Sequence, residues 1–184
     1  SVNAAMTDRR IRAVGSVVGV NLGRLYRDMN AWETLDTIAS QRNAQVDGGA
    51  ARIITWLPKT PAEAEAAGIK DIDVLEAVDY YCTPRGQHPN SPNKVDVVSF
   101  ASIIGFDAFR CADRFLTQPL QIIIGEKQGG FGSYRDGQEL YSLAASEKKD
   151  LFIVKDTSHY ELYDKPEAVA IASEKLIAFY NENL

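Results

Sequence analysis

The chain has 184 residues, 45% hydrophobic and 24% charged, enough for one packed domain or a large piece of a bigger one and too apolar for global disorder. A net charge of −5 without any basic cluster disfavours nucleic acid, because a phosphate backbone is held by concentrated positive charge. Cys82 and Cys111 are too few for a secreted disulfide scaffold and are expected as buried reduced thiols.

The chain opens Ser-Val-Asn-Ala-Ala-Met-Thr, a small-residue stretch that reads as the end of a helix. Beginning inside an element, without an initiator methionine, it is expected to be a truncated, proteolysed or processed form. Ile11 to Val20 is a short apolar run rich in valine, which suits a buried strand. The stretch from about Asn21 to Thr117 carries helix signals and no convincing strand. Trp32, Leu35, Ile38, Ala39, Arg42 and Val46 mark one amphipathic helix that ends near Gly48-Gly49. Thr60-Pro-Ala-Glu63 is an N-cap signature with proline at the first helical position, and Val74, Leu75 and Val78 mark a third helix. A turn-rich segment, Thr83 to Pro92, precedes an apolar one through Phe100, Ile103, Ile104 and Phe106.

Leu120 to Ile124, between Pro119 and Gly125, and Leu151 to Val154 are again short, mostly apolar runs, with the buried character of parallel strands in a sheet covered on both faces. They are expected to be parallel neighbours joined by a helix over Gly137 to Ala145. Asp164-Lys-Pro-Glu167 is expected to start a terminal helix with Asp164 as its N-cap, and Val169, Ala172, Leu176 and Phe179 form one face of it. The expected organisation is an α/β core of residues 1–20 and 118–184, with 21–117 inserted as a helical cap or lid. No apolar run reaches the roughly 18 to 20 residues of a membrane span, no secretory leader is present, and a cytoplasmic protein is expected.

Of the two histidines, His88 lies in the proline-rich turn segment and reads as a surface or packing residue. His159 follows the last strand and precedes the terminal helix. The carboxyl end of a buried strand is where open α/β sheets place their active sites, although composition alone favours a structural histidine.

Leu151-Phe-Ile-Val154, then Ser158-His159, then Leu162-Tyr-Asp164 and a final amphipathic helix resemble the end of α/β-hydrolases. Gln118 to Gly125 resembles their penultimate strand, and Asp8 to Val14 resembles the link from the nucleophile helix to the next strand. Asp79 to Gly86 and Phe106-Asp-Ala108 are similar to a bacterial branch near the dienelactone-hydrolase and X-Pro dipeptidyl-peptidase-like enzymes. The resemblance covers essentially the whole chain and rests on the order and spacing of its motifs.

The resemblance implies the C-terminal part of an α/β-hydrolase acting on a carboxylic ester, thioester or small amide. His159 would be the general base and acid of a triad, a role that needs a nucleophile and an orienting carboxylate. No Gly-x-Ser-x-Gly elbow occurs in the sequence, so the nucleophile is expected upstream of Ser1. The alternative of Ser1 as an N-terminal nucleophile has no processing signal behind it. The family's acid loop reads here Gly125-Glu-Lys-Gln128, with glutamine at the aspartate position. Glu126 is the leading substitute, Asp136 and Asp28 are further candidates, and Asp156 reads as a turn residue. Trp32, Trp56, Tyr80 and Tyr81 would shape an acyl pocket or pack the cap.

No metal cluster and no phosphate-binding loop is visible, so no cofactor is expected. Expected partners are a small ester or amide and the upstream N-terminal segment of the same protein. An open half-sheet edge would otherwise be covered in a homo-oligomer. Neither nucleic acid nor membrane is expected. The rival function is a non-catalytic hydrolase-like binding protein, which the Gln128 departure supports.

Overall fold

The computed structural model describes residues 2–29 and 31–184. In chain order it begins with helix α1 (Val2–Thr7) and strand β1 (Val14–Val17). There follow α2 (Leu22–Asp28), α3 (Ala31–Val46), β2 (Ile53–Thr55), α4 (Pro61–Ala66), α5 (Ile72–Cys82), β3 (Lys94–Asp96) and α6 (Phe100–Gly105). The chain closes with α7 (Ala112–Phe115), β4 (Leu120–Gly125), α8 (Ser133–Leu143), β5 (Lys149–Val154), α9 (Glu161–Asp164) and α10 (Pro166–Asn183). These elements form two compact units, residues 22–107 and the remainder.

The larger unit is built on a parallel sheet of order β1-β4-β5. Val14 stands opposite Leu120, and Leu120 opposite Lys149, so β4 is central. Every residue of β4 is buried, which explains why its sequence, Gln121 excepted, is apolar on both faces rather than alternating. The strand period of two still divides its side chains. Leu120, Ile122 and Ile124 join Val14, Ala112, Leu116 and Leu140 on the face packed by α1, α7 and α8. Ile123 joins Val18, Val154, Leu162, Ala168 and Ala172 on the face packed by α9 and α10. The expected α/β architecture, with β4 and β5 parallel and joined by the helix carrying Leu140, is the one observed.

Several local expectations differ from the structure. Strand β1 covers only Val14–Val17, because Val18 turns to φ 41° and ends the extended run. Asp164 does not cap the terminal helix. It is the last residue of α9, and Lys165 takes the cap position ahead of Pro166. The helix expected from Gly137 starts at Ser133, so Asp136 lies inside α8. Gly132 leads in at φ 78°, a left-handed conformation that glycine adopts without steric cost. Residues 108–117, read from sequence as insertion, pack with the sheet: Phe109, Ala112 and Leu116 are buried in its core. Cys111 is exposed rather than buried, since it forms a left-handed turn (φ 67°) before α7, and Cys82 is half-buried; both thiols are free.

The unit of residues 22–107 is mainly helical. Thr60 caps α4 as its sequence predicts, accepting from Glu63 N, while the Glu63 carboxylate accepts from Lys59 N at 2.9 Å. Its core gathers Ile38, Val97, Phe100 and Ile104 with Tyr26, Ile54 and Val95. Strands were not expected here, yet β2 and β3 pair antiparallel, Ile53 opposite Asp96. Three residues each is too short for a periodic signal. No described helix is long and apolar enough to cross a membrane.

Candidate functional site

His159 is placed by the ends of β4 and β5. Beyond β4, Glu126 N donates to Val154 O and Lys127 N donates to Thr157 O, both at 3.0 Å, so the two departing segments stay paired. Between them Asp156 takes φ 50°, and its N–H donates to the Glu126 carboxylate at 3.0 Å. Gly125 is required by this approach: a Cβ there would lie 2.3 Å from Thr157 O.

The histidine itself sits inside a reciprocal pair of hydrogen bonds. Ser158 Oγ accepts from Glu161 N at 3.2 Å, and the Glu161 carboxylate accepts from Ser158 N at 2.7 Å. This is the Ser-x-x-Glu capping-box pattern, with His159 and Tyr160 as its two interior residues. Lys127 adds an ion pair to Glu161 at 3.1 Å, tying the loop after β4 to the histidine loop. Burial raises the Glu161 carboxyl, but the Ser158 N–H and Lys127 outweigh it, and its pKa is lowered.

His159 is 4% exposed. Its ring lies 4.8 Å from that of Tyr160 and 5.1 Å from that of Tyr163, with Phe131 edge-on at 6.4 Å. Nε2 is hydrogen-bonded to the Tyr163 hydroxyl at 3.0 Å. Nδ1 is buried and has no hydrogen-bond partner among the described residues. Burial in this apolar, aromatic surround lowers the pKa from 6.5 to about 4, so the imidazole is neutral at pH 7. A neutral imidazole is the form that can take a proton.

The other candidates do not meet His159 through hydrogen bonds. Glu126 is exposed and holds the Asp156 amide. Asp136 is fully buried and accepts from Asn21 N at 2.8 Å. Asp28 pairs with Arg24 at 3.4 Å within α2. Gln128 and Asp156 are exposed, and Ser1 lies outside the described residues. His88 is an exposed turn residue whose Nδ1 accepts from Asn90 N at 3.1 Å. Among the described residues no group of side chains could hold a metal ion. Of the aromatics of residues 22–107, Trp32 is 82% exposed, Trp56 stands beside Tyr26 at 6.3 Å, and Tyr80 meets Tyr81 edge-on at 5.0 Å. Tyr163 and the Ser158–Glu161 pair were missed from sequence, although Ser-x-x-Glu directly after a strand is a readable signal.

No family model matches the chain. It is 34% identical over 194 residues to an uncharacterized protein of Escherichia coli, YcjY, aligning all of this chain with 60% of that protein. It is 27% identical over 195 residues to the uncharacterized protein PA2218 of Pseudomonas aeruginosa, again aligning the whole chain, with 49% of that relative. The chain thus spans about half to three-fifths of the length of these relatives. The crystal structure of PA2218 matches it with a TM-score of 0.83 at 25% identity, over the whole chain and 57% of that structure. The α/β-hydrolase GrgF from Penicillium sp. sh18 matches with a TM-score of 0.66 at 14% identity, over 99% of this chain and 59% of that one. The chain has an α/β-hydrolase-type fold.

Proposed function

We propose that the chain is the histidine-bearing C-terminal part of a serine-type hydrolase acting on a carboxylic ester, thioester or small amide. His159 is its general base and acid, and the nucleophile, serine or cysteine, comes from a segment preceding these residues. The observation that carries this reading is the position and state of His159: just beyond the carboxyl end of β5, buried, and held neutral. Glu126 is the acid of this reading only if its carboxylate leaves the Asp156 amide, to which it is bonded at 3.0 Å. Residues 22–107 take the part of a cap domain in this reading, and a cytoplasmic location goes with the same proposal.

A second reading, a hydrolase-like binding protein without catalysis, is favoured by one specific observation. Among the described residues no carboxylate meets Nδ1 of His159, and a triad histidine normally needs one to stabilise its cation. The test is labelling of the natural full-length protein with a fluorophosphonate, alongside residues 1–184 alone. The hydrolase reading expects the full-length protein to label and turn over esters, the 184 residues alone to stay unlabelled, and His159→Gln to lower turnover by about 10⁴-fold or more. Full-length protein that neither labels nor hydrolyses supports the binder. Labelling of the 184 residues alone would overturn the idea of an external nucleophile.

A further inference from the structure

Of the rings around His159, Tyr160 and Tyr163 belong to its own loop and the helix that follows, whereas Phe131 comes from the loop between β4 and α8. Phe131 stands edge-on to both His159 and Tyr160 at 6.4 Å, the geometry that aromatic pairs favour. The loop is built to present it. Gly132 N donates to Gly129 O at 3.1 Å, closing a turn whose two central residues are Gly130 and Phe131. Lys127 N on Thr157 O anchors the segment before this turn, and Asp136 N on Gly132 O anchors it after, where α8 begins. With glycine at 129, 130 and 132, the turn carries one side chain, and that side chain meets the imidazole. The Phe131 ring is half-buried, while His159 and Tyr160 are buried.

We propose that Phe131 is a specificity-determining residue that limits the leaving group, the alcohol, thiol or amine half of the substrate, to small uncharged ones. This rests on the hydrolase reading. In that reaction the bond from the carbonyl carbon to the leaving oxygen, sulfur or nitrogen breaks. Its electron pair stays with the leaving atom, which takes the proton held by the imidazolium. The leaving atom must therefore reach the His159 ring, and the group it carries meets whatever flanks that ring. The acyl half is under no such requirement. His159 is 4% exposed, so little room adjoins the imidazole and the size of one neighbouring side chain decides what fits. The hydrocarbon edge of Phe131 also offers a charged group no hydrogen bond in place of the water it loses, which disfavours ionic leaving groups.

The experiment measures kcat/KM of the natural full-length protein on two ester series, one with a fixed acyl group and alcohols from methyl to benzyl, the other with a fixed alcohol and lengthening acyl groups. Wild type should lose kcat/KM along the alcohol series. Phe131→Ala should raise the ratio of bulky to small alcohols by about 10-fold or more, with Phe131→Leu in between, while the acyl ranking stays as in wild type. Wild type indifferent to the alcohol would overturn the proposal. So would variants that leave the alcohol ranking unchanged or shift both series alike, since a loosened fold moves both. Should Phe131→Ala not fold, Phe131→Leu and the wild-type alcohol series still decide. In each of those cases an active enzyme keeps the hydrolase reading; full-length protein that neither labels with a fluorophosphonate nor turns over any ester overturns both.

Discussion

The buried carboxylate of Asp136 accepts the backbone N–H of Asn21 at 2.8 Å, and the Asn21 side-chain oxygen in turn accepts from Ala108 N at 3.2 Å. Asn21 is the last residue before the 22–107 unit and Ala108 the first after it. One carboxylate on α8 thus secures the exit of the chain, and through it the return. Asp136→Ala strips a charged acceptor from a buried amide and should cost roughly 2–3 kcal/mol. In a protein of this size that lowers Tm by roughly 4–12 °C. Asp136→Asn keeps one oxygen acceptor and should lose less. Thermal melts of the two variants check the order.

Acid should weaken the fold through His159 before it reaches the carboxylates. The folded pKa of about 4 lies below the unfolded value near 6.5, so the unfolded chain takes the proton first as pH falls. The stability from keeping this ring neutral is complete above the unfolded value and is lost on the way down to the folded one, at most roughly 3 kcal/mol. His159→Gln should flatten the Tm-against-pH curve in that window. A curve of unchanged slope would show that the ring is not held neutral by burial.

Glu161 titrates in the opposite sense. Its folded pKa is lowered, so its contribution is present above the unfolded carboxyl value and disappears as pH falls through the folded one. Glu161→Ala removes the acceptor of Ser158 N and the partner of Lys127, and should cost about 1–2 kcal/mol. Amide exchange at Ser158 should quicken in this variant, while exchange in β4 stays as it was.

Gly125→Ala places a methyl group against Thr157 O, a backbone atom that cannot swing aside. The histidine loop must shift, at a cost of about 2–3 kcal/mol. Under the proposed hydrolase function, turnover by the full-length protein should fall in this variant more than its Tm predicts, because the displaced segment carries His159. Turnover equal to wild type would show that the loop tolerates the move.

The sheet was legible because Leu120 to Ile124 is apolar apart from Gln121 and bounded by Pro119 and Gly125, and the position of His159 beyond the last strand was legible because it follows Val154 so closely. Periodicity cannot report which distant amide a carboxylate will bind. Glu126 reads as an acid near a histidine, yet it bonds the Asp156 N–H, an arrangement set by the register of β4 on β5. Asp164 was read as a cap because Pro166 opens a helix two residues on. The short helix α9 already occupies that aspartate. The three-residue strands β2 and β3 depend on each other across some 40 positions, which no local pattern encodes.

Because Asn21 and Ala108 meet at hydrogen-bonding distance, the core elements see the intervening segment as a loop whose ends are already joined. The entropy of closing such a loop grows only with the logarithm of its length. Segments of quite different size can therefore be grafted between these two residues with little change in the folding free energy of the sheet. Variation in the length and sequence of that segment is thereby uncoupled from the selection that preserves β1, β4 and β5.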